Sequence, residues 1–251
     1  MASNQKEQDH FYSSIAKYYS LIFPFNKTQL SFVENEMGSL EGKVFLDVGC
    51  GSGELAYALA QKGAHVHAID LNDALLTDAQ KFRSHDNIVY RKANMLHIER
   101  LFGRSSFDAV VCFGNTLVHL MNQKLMGDFF RNTRNVLKPG GFFFIQILHY
   151  DYIFQELIGS LPGIENESVK FERHYRFVPG SKEIRFITRL TVKTTGEVIE
   201  NETGLFGIGT NEVVQLLKDH GFSDIELYAD FQKTPFGGNH LPLVITSLIN
   251  G

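Results

Sequence analysis

The stretch VFLDVGCGSG (44–53) determines how this sequence is interpreted, because three glycines at alternate positions follow a short apolar run. The apolar run predicts a buried strand, and the following ELAYALAQK (54–62) has the apolar spacing of a helix. Glycine lets the chain turn sharply between the two and lets a ligand approach the backbone closely. The start of the helix adds a positive dipole end beside the turn. The segment therefore predicts a ligand-binding strand–turn–helix.

Two classes of ligand suit this turn. GSGELA (51–56) matches the dinucleotide pattern GxGxxA, which indicates an NAD-dependent enzyme. The carboxylate of Asp47, however, would repel a pyrophosphate and attract a ligand that carries an ammonium group. S-adenosylmethionine has such an amino-acid end and no phosphate. Asp47 therefore favours S-adenosylmethionine, and NAD remains the alternative.

A regular alternation of strands and helices surrounds the turn. Predicted strands cover 43–48, 65–70, 87–92, 107–113 and 142–148, and predicted helices cover 54–62, 73–82 and 124–137. The turn residues at 138–141 are expected to end the last helix before the fifth strand. This order predicts an α/β fold, a Rossmann-like doubly wound and mostly parallel seven-stranded sheet.

After residue 150 the pattern predicts antiparallel strands instead, because polar and apolar residues alternate between turn signals. We interpret 151–208 as an antiparallel β insertion that acts as a substrate lid. A helix at 210–220 and strands near 223–231 and 241–249 then complete the core. The predicted parts are an N-terminal helical cap (1–40, frayed over 1–10), a cofactor-binding core (41–150 and 209–251) and the insertion (151–208).

Polar residues follow the second and third predicted strands. Asp70 ends the second strand, where a carboxylate can accept hydrogen bonds from both ribose hydroxyls of a cofactor or cap the next helix. Asn94 and Met95 follow the third strand, where an adenine ring is expected to lie. The Asn94 oxygen is expected to accept from the adenine amino group, and the Met95 backbone to contact the ring edge.

Composition excludes several classes of function. The 251 residues include 24 Lys+Arg against 28 Asp+Glu, a formal net charge of −4, so no basic excess indicates a nucleic-acid partner. A polar N-terminus and the lack of a long apolar run indicate neither a secretory signal nor a membrane partner. Cys50 and Cys112 lack the spacing of a metal site. We therefore expect a cytoplasmic protein without a metal.

Four segments in order resemble the class I S-adenosylmethionine-dependent methyltransferases: LDVGCGSG (46–53), AIDLN (68–72), FDAVVCFGN (107–115) and LKPGG (137–141). The resemblance implies that S-adenosylmethionine is the cofactor and that residues 112–115 line the reaction site. Asn94 departs from the aspartate of many members but keeps the acceptor oxygen. The implied cofactor-binding residues are Tyr19, Asp47, Gly49, Cys50, Gly51, Gly53, Asp70, Leu71, Asn94, Met95, Cys112 and Phe113.

A narrower resemblance concerns glycine and sarcosine N-methyltransferases. CFGNTLVHL (112–120) is similar to their CxGNSxxHL segment, and HYDYI (149–153) is similar to their NYDYI segment. An arginine before the second segment helps to bind the substrate carboxylate in those enzymes, and Leu148 stands at that position here. Glycine is therefore a doubtful acceptor, unless an arginine of the insertion substitutes: Arg173, Arg176, Arg185 or Arg189.

Candidate catalytic residues follow from the same resemblance. His149 and Tyr150, after the fifth strand, are candidates for proton removal, and Asn115 is the third candidate. His119 is expected to be a hydrogen-bonded structural histidine. FYSSIAKYYSLIFP (11–24) resembles a segment that small-molecule methyltransferases fold over the cofactor, with Tyr19 as the predicted contact.

We therefore predict in-line transfer of a methyl group from S-adenosylmethionine to a nitrogen or oxygen of a small-molecule acceptor. The cofactor carries the reactive chemistry, so the protein mainly aligns and desolvates the reactants. Two alternatives stay open: an NAD-dependent oxidoreductase, and a non-catalytic protein that binds S-adenosylmethionine or S-adenosylhomocysteine. A homodimer also stays open.

Overall fold

A computed structural model describes residues 2–250, in which helices and strands alternate through the first 150 residues. The helices are α1 Ala2–Ile15, α2 Tyr19–Ile22, α3 Lys27–Met37, α4 Glu54–Gln61, α5 Asp73–Phe82, α6 Ile98–Phe102, α7 Gln123–Val136, α8 Tyr150–Gln155 and α9 Thr210–Asp219. The strands are β1 Val44–Val48, β2 His65–Asp70, β3 Ile88–Lys92, β4 Phe107–Cys112, β5 Leu137–Leu148, β6 Ser160–Glu165, β7 Val169–Phe177, β8 Glu183–Val192, β9 Val198–Phe206, β10 Phe222–Tyr228 and β11 Pro242–Ile249.

Seven strands form the main sheet, in the order β3-β2-β1-β4-β5-β11-β10. Neighbours from β3 to β5 are parallel, whereas β11 runs antiparallel to both β5 and β10. The predicted fold class is therefore confirmed. The strand order reverses at β1, where β2 lies on one side and β4 on the other. Ligands of such sheets bind outside the carboxyl ends of the strands at this reversal.

A second, antiparallel sheet contains β6, β7, β8 and β9 in that order. Residues of one face of β7 are buried, since Val169, Phe171 and Tyr175 are 0%, 0% and 6% exposed, while Lys170 and His174 are exposed. This alternation is the one expected for strands with one face in a core. The inner face of the second sheet meets the residues of α1 and the turn after it in an apolar cluster.

The N-terminal segment differs from the prediction of a frayed end, because α1 is already helical from Ala2. Tertiary contacts hold this polar helix in place. The Asn72 amide donates to Asp9 Oδ1 and Ser13 Oγ, and Arg185 of β8 pairs with Glu7. These partners are distant in sequence, so local propensity could not indicate them.

Two further differences are local. The KPGG segment (138–141) lies within β5 as an irregular stretch opposite Phe107 and Ala109, rather than as a separate turn before the strand. The insertion also begins with a short helix, α8, which the sequence analysis did not predict. Within residues 2–250, no helix is both long and apolar enough to cross a membrane.

The large core side chains lie on both faces of the main sheet, and Phe143 of β5 is central among them. Its ring is 0% exposed and packs at centroid distances of 5.7 and 5.6 Å from Phe129 and Phe130 of α7. We expect Phe143→Ala to lower the free energy of unfolding by about 3–5 kcal/mol, because the cavity it leaves cannot fully collapse.

Urea denaturation measures this loss, with Phe82→Ala as the control. Phe82 is 64% exposed at the end of α5, and its removal should change the free energy of unfolding by less than about 0.5 kcal/mol. Equal losses in the two variants would contradict this description of the core.

Candidate active site

The glycine turn between β1 and α4 has a backbone that only glycine adopts without strain. Gly49, Gly51 and Gly53 have φ angles of +72°, +56° and +83°. A Cβ on Gly49 would lie 2.5 Å from Thr116 Cγ2, and one on Gly53 would lie 2.5 Å from Tyr90 Oη. The predicted need for glycine thus has two sources, the positive φ angles and the side chains that crowd the turn.

Asp70, at the carboxyl end of β2, is joined to this turn by hydrogen bonds. Its Oδ2 accepts from the Gly51 amide at 3.0 Å, and its Oδ1 accepts from the Asn72 amide at 2.9 Å. Burial raises the pKa of Asp70, while these amide bonds act in the opposite direction. Each oxygen keeps further acceptor capacity. Asp70 can therefore hold the turn in place and still accept hydrogen bonds from a ligand.

Asp47, near the end of β1, is a buried carboxyl group without a positive partner. Its side chain is only 4% exposed, and Oδ2 has no hydrogen-bond partner. Burial raises the pKa of Asp47 to about 7, the negative charges of Asp70 and Glu54 add to the effect, and the Ala56 amide opposes it. A buried carboxyl group with an unpartnered oxygen is stabilised in its ionised form when a cation binds at that oxygen.

Glu54, the first residue of α4, is in a different state from Asp47. Its carboxylate pairs with Arg83 at 2.8 Å and accepts hydrogen bonds from Ser20 and Ser52. The charge of Glu54 is therefore compensated within the chain. Of these two carboxyl groups, Asp47 is the one that can take a cation from a ligand.

Two cavities meet at the turn. The larger, of about 570 Å³, extends from Asp47 and Cys50 to Leu161, Arg173 and Phe186 on the inner side of the second sheet. The smaller, of about 60 Å³, lies over the ends of β2 and β3 and includes Asp70, Leu71 and Met95 in its wall. Both cavities are bordered by Tyr12, Tyr19, Gly49, Phe113, Gly114 and His119. These shared residues form the junction wall, where ligands in the two cavities would meet.

The junction wall contains a hydrogen-bonded pair, Tyr12 and His119. Tyr12 Oη lies 2.9 Å from His119 Nε2, and His119 Nδ1 is buried without a partner. Burial lowers the pKa of His119 to about 4, so its ring is neutral at pH 7. Tyr19 lies against Gly51, and burial raises the pKa of its phenol well above the ordinary value. The wall is therefore uncharged at neutral pH.

The three candidate catalytic residues occupy different environments. Asn115 borders the larger cavity, with a left-handed backbone at φ +65°. Its Nδ2 donates to Tyr150 Oη at 2.9 Å, and its Oδ1 accepts from the Leu148 amide at 3.0 Å. Tyr150 is fully buried, and burial raises its pKa well above the ordinary value. Tyr150 therefore positions Asn115 rather than facing a ligand.

His149 lies outside both cavities. Its ring packs against Phe236 and His240 at centroid distances of 4.8 and 5.2 Å, and burial lowers its pKa. The histidine that borders the cavities is His119, for which the sequence analysis expected a structural role. His149 does not border the larger cavity, and its role in proton removal stays a prediction.

Several predicted cofactor residues shape the site without bordering a cavity. Asn94 Oδ1 accepts from the Leu96 amide at 2.9 Å and caps the short 3₁₀ helix Met95–His97, so part of its acceptor capacity is already used. Cys112 is fully buried at the end of β4. Gly51 and Gly53 shape the turn. Their predicted contacts with a cofactor stay predictions.

Some residues that border the larger cavity were not singled out from the sequence. Gln146 of β5 accepts from the Gly114 amide at 2.9 Å, and Tyr175 and Phe186 supply aromatic walls from the insertion. The alternation of β7 and β8 was the signal that could have placed the two aromatic residues on the inner face. Within residues 2–250, no group of three His, Cys, Asp or Glu side chains could hold a metal ion.

Comparisons with known proteins find similar sequences among the methyltransferases. A family described as "Methyltransferase domain" matches residues 45–141. A protein named as a methyltransferase from Geobacillus sp. (strain WCH70) is 27% identical over 249 residues, which cover 88% of this chain and 92% of that protein. The glycine N-methyltransferase of Mus musculus is 35% identical over 122 residues. That match covers 43% of this chain and 41% of the mouse enzyme.

A solved structure extends the similarity to the whole fold. The S-adenosylmethionine-dependent methyltransferase from Clostridium acetobutylicum superimposes with a TM-score of 0.79 and covers 96% of this chain and 99% of its own. The two sequences are 18% identical, so this match establishes the shared fold alone.

The buried state of Asp47 predicts a pH dependence of stability. In the unfolded chain Asp47 has its ordinary pKa of 3.8, so between pH 4 and 7 the folded protein holds this proton more tightly. The contribution of Asp47 to the wild-type free energy of unfolding therefore falls as the pH rises through this window. We expect Asp47→Asn to be more stable than the wild type at pH 8, by up to about 4 kcal/mol.

Urea denaturation at pH 5, 6.5 and 8 measures this difference. The advantage of Asp47→Asn should be smallest at pH 5 and largest at pH 8. A difference that stays constant across these pH values would contradict the assignment of a buried, uncompensated carboxyl group.

Proposed function

We propose that this chain, a class I S-adenosylmethionine-dependent methyltransferase, transfers the methyl group to a nitrogen or oxygen of a small molecule. The observation that carries the small-molecule assignment is the larger cavity. It runs from Asp47 at the glycine turn to the second sheet, and side chains of the insertion form its far wall. A space of about 570 Å³ suits a small acceptor rather than a segment of a macromolecule.

The residues around the turn fit the amino-acid and ribose parts of S-adenosylmethionine. The unpartnered Oδ2 of Asp47 suits an ammonium group, and Gly49 exposes its backbone to both cavities. Asp70 and Leu71 would hold the ribose, and Met95 would border the adenine in the smaller cavity. When bound, this cofactor supplies an activated methyl group on a sulfonium with a neutral leaving group.

The protein's own contribution is alignment and exclusion of water. Asn115 is held by two hydrogen bonds, and the side chains of the junction wall are neutral, so the site can orient an acceptor without a charged group at the junction. The lowered pKa of His119 makes it a weak proton acceptor at pH 7. An amine acceptor is therefore expected to enter the larger cavity in its unprotonated form.

The alternatives are less well supported. Asp47 without a compensating cation disfavours the pyrophosphate of a dinucleotide, and the comparisons favour neither an oxidoreductase nor a non-catalytic binding protein. The mouse relative is named for glycine, but Leu148 borders the cavity where a resemblance to such enzymes implies an arginine. A cytoplasmic location stays a prediction.

Calorimetric binding tests the cofactor assignment. S-adenosylmethionine and S-adenosylhomocysteine should bind, and NADH should not. Asp70→Ala should weaken adenosyl-ligand binding about 10- to 100-fold, because hydrogen bonds to a charged group are lost. Asp73→Ala is the matched control, since that carboxylate is three residues away with a side chain 71% exposed.

Two results would contradict the proposal. One is binding of NADH without binding of either adenosyl ligand. The other is tight adenosyl binding with no methyl transfer to any member of a panel of amines and phenols followed by mass spectrometry.

A further inference from the structure

Arg173 occupies an unusual position in the insertion. It lies on β7 between Phe171 and Tyr175, in the row of alternate residues that faces the interior. The other members of this row are apolar or aromatic: Val169, Phe171 and Tyr175 are buried and Phe177 is half-buried. Arg173 is the charged residue in the row, and its side chain borders the larger cavity.

The other arginines of the insertion have acidic partners. Arg176 and Arg185 both pair with Glu202 at 2.6 Å, and Arg189 pairs with Glu200 at 2.6 Å. Within residues 2–250, Arg173 has no carboxylate within ion-pair distance. Arg173 therefore differs from the other three arginines, although the sequence alone shows no difference among the four.

The Arg173 guanidinium is only partly satisfied by the chain itself. Its Nη2 donates to the Pro162 carbonyl on the neighbouring strand β6, whereas its Nε is buried and has no partner. A partly buried guanidinium stays charged, so its desolvation is costly unless an anion compensates it. The Pro162 carbonyl supplies a partial charge only. The position is therefore suited to an anionic group that arrives with a ligand.

We propose that Arg173 binds a carboxylate of the methyl acceptor, so that the substrate is a small organic acid with an apolar body. This inference rests on the proposed function. Arg173 borders the larger cavity from β7 of the insertion, whereas Asp47 borders it from β1 of the core.

The surroundings of Arg173 select the kind of anion. Leu161, Tyr175, Phe186 and Leu205 line the same cavity as Arg173 and give it an apolar and aromatic wall. One guanidinium in such a wall balances a single negative charge and pairs well with a planar carboxylate. A phosphate dianion would retain uncompensated charge. The aromatic rings would contact the apolar body of the acid.

The test uses matched pairs of probes on protein saturated with S-adenosylhomocysteine. The pairs are 4-hydroxybenzoate with 4-hydroxybenzamide, anthranilate with anthranilamide, and L-phenylalanine with L-phenylalaninamide. At least one acid should bind the wild type more tightly than its amide by calorimetry. Arg173→Met should weaken binding of that acid about 10- to 100-fold and leave the amide within about threefold.

Arg189→Met is the matched control. Arg189 lies on the neighbouring strand, pairs with Glu200, and has a side chain 51% exposed, so its removal should leave the preference for the acid unchanged. Arg173→Met should also raise the melting temperature, because an apolar side chain replaces an uncompensated charge. That increase shows that the variant folds.

Three outcomes would overturn the inference. They are an absence of preference for any acid over its amide, an unchanged preference in Arg173→Met, and a loss of S-adenosylhomocysteine binding in Arg173→Met. The last would assign Arg173 to the cofactor carboxylate. Failure of the proposed function is distinguishable, because then the wild type itself would not bind S-adenosylhomocysteine.

Discussion

The buried carboxyl group of Asp47 is the constraint around which the site is arranged. It lies at the carboxyl end of β1, where the strand order reverses, and the parallel sheet removes it from solvent. The chain compensates Glu54 with Arg83 but leaves Asp47 without a cation. A folded protein retains such an uncompensated group at a cost in stability. Binding of a ligand ammonium would offset that cost, which links the stability of the empty fold to its function.

The second sheet has the complementary role. Its inner face closes the larger cavity opposite the glycine turn, and α1 is fixed to it through Arg185 and Glu7. The chain thus places an uncompensated carboxyl group, Asp47, on the core side of the larger cavity and a guanidinium without an acidic partner, Arg173, on the side of the second sheet. The proposed cofactor ammonium would lie at the first group and the proposed acceptor carboxylate at the second.

Much of the fold could be predicted from the sequence. The strand–helix alternation around VFLDVGCGSG (44–53) has strong periodicity and glycine punctuation, and the predicted strands differ from the observed ones by only a few residues. The first part of helix α1, over residues 2–10, could not be predicted because its residues are polar and its stabilising partners are far away in the sequence. The short helix α8 lacks the length that a periodic pattern needs.

The site was less predictable than the fold, because its chemistry depends on which side chains already have partners. Sequence does not distinguish Arg173 from Arg189, and it favours His149 over His119 for proton removal, although His119 is the histidine that borders the cavities. The difference lies in an ion pair in the first case and in access to the cavities in the second. Asn94 is a further example, because its side-chain oxygen already accepts a hydrogen bond from the Leu96 amide, which the sequence does not reveal.

The most direct test of this account is the number of protons released when S-adenosylhomocysteine binds. Calorimetry at pH 6 in buffers of different ionisation enthalpy measures that number. With a pKa of about 7, Asp47 is mostly protonated at pH 6 and must ionise to pair with the ligand ammonium. We expect the release of nearly one proton more from the wild type than from Asp47→Asn. Equal proton release from the two proteins would contradict the claim that Asp47 receives the cofactor.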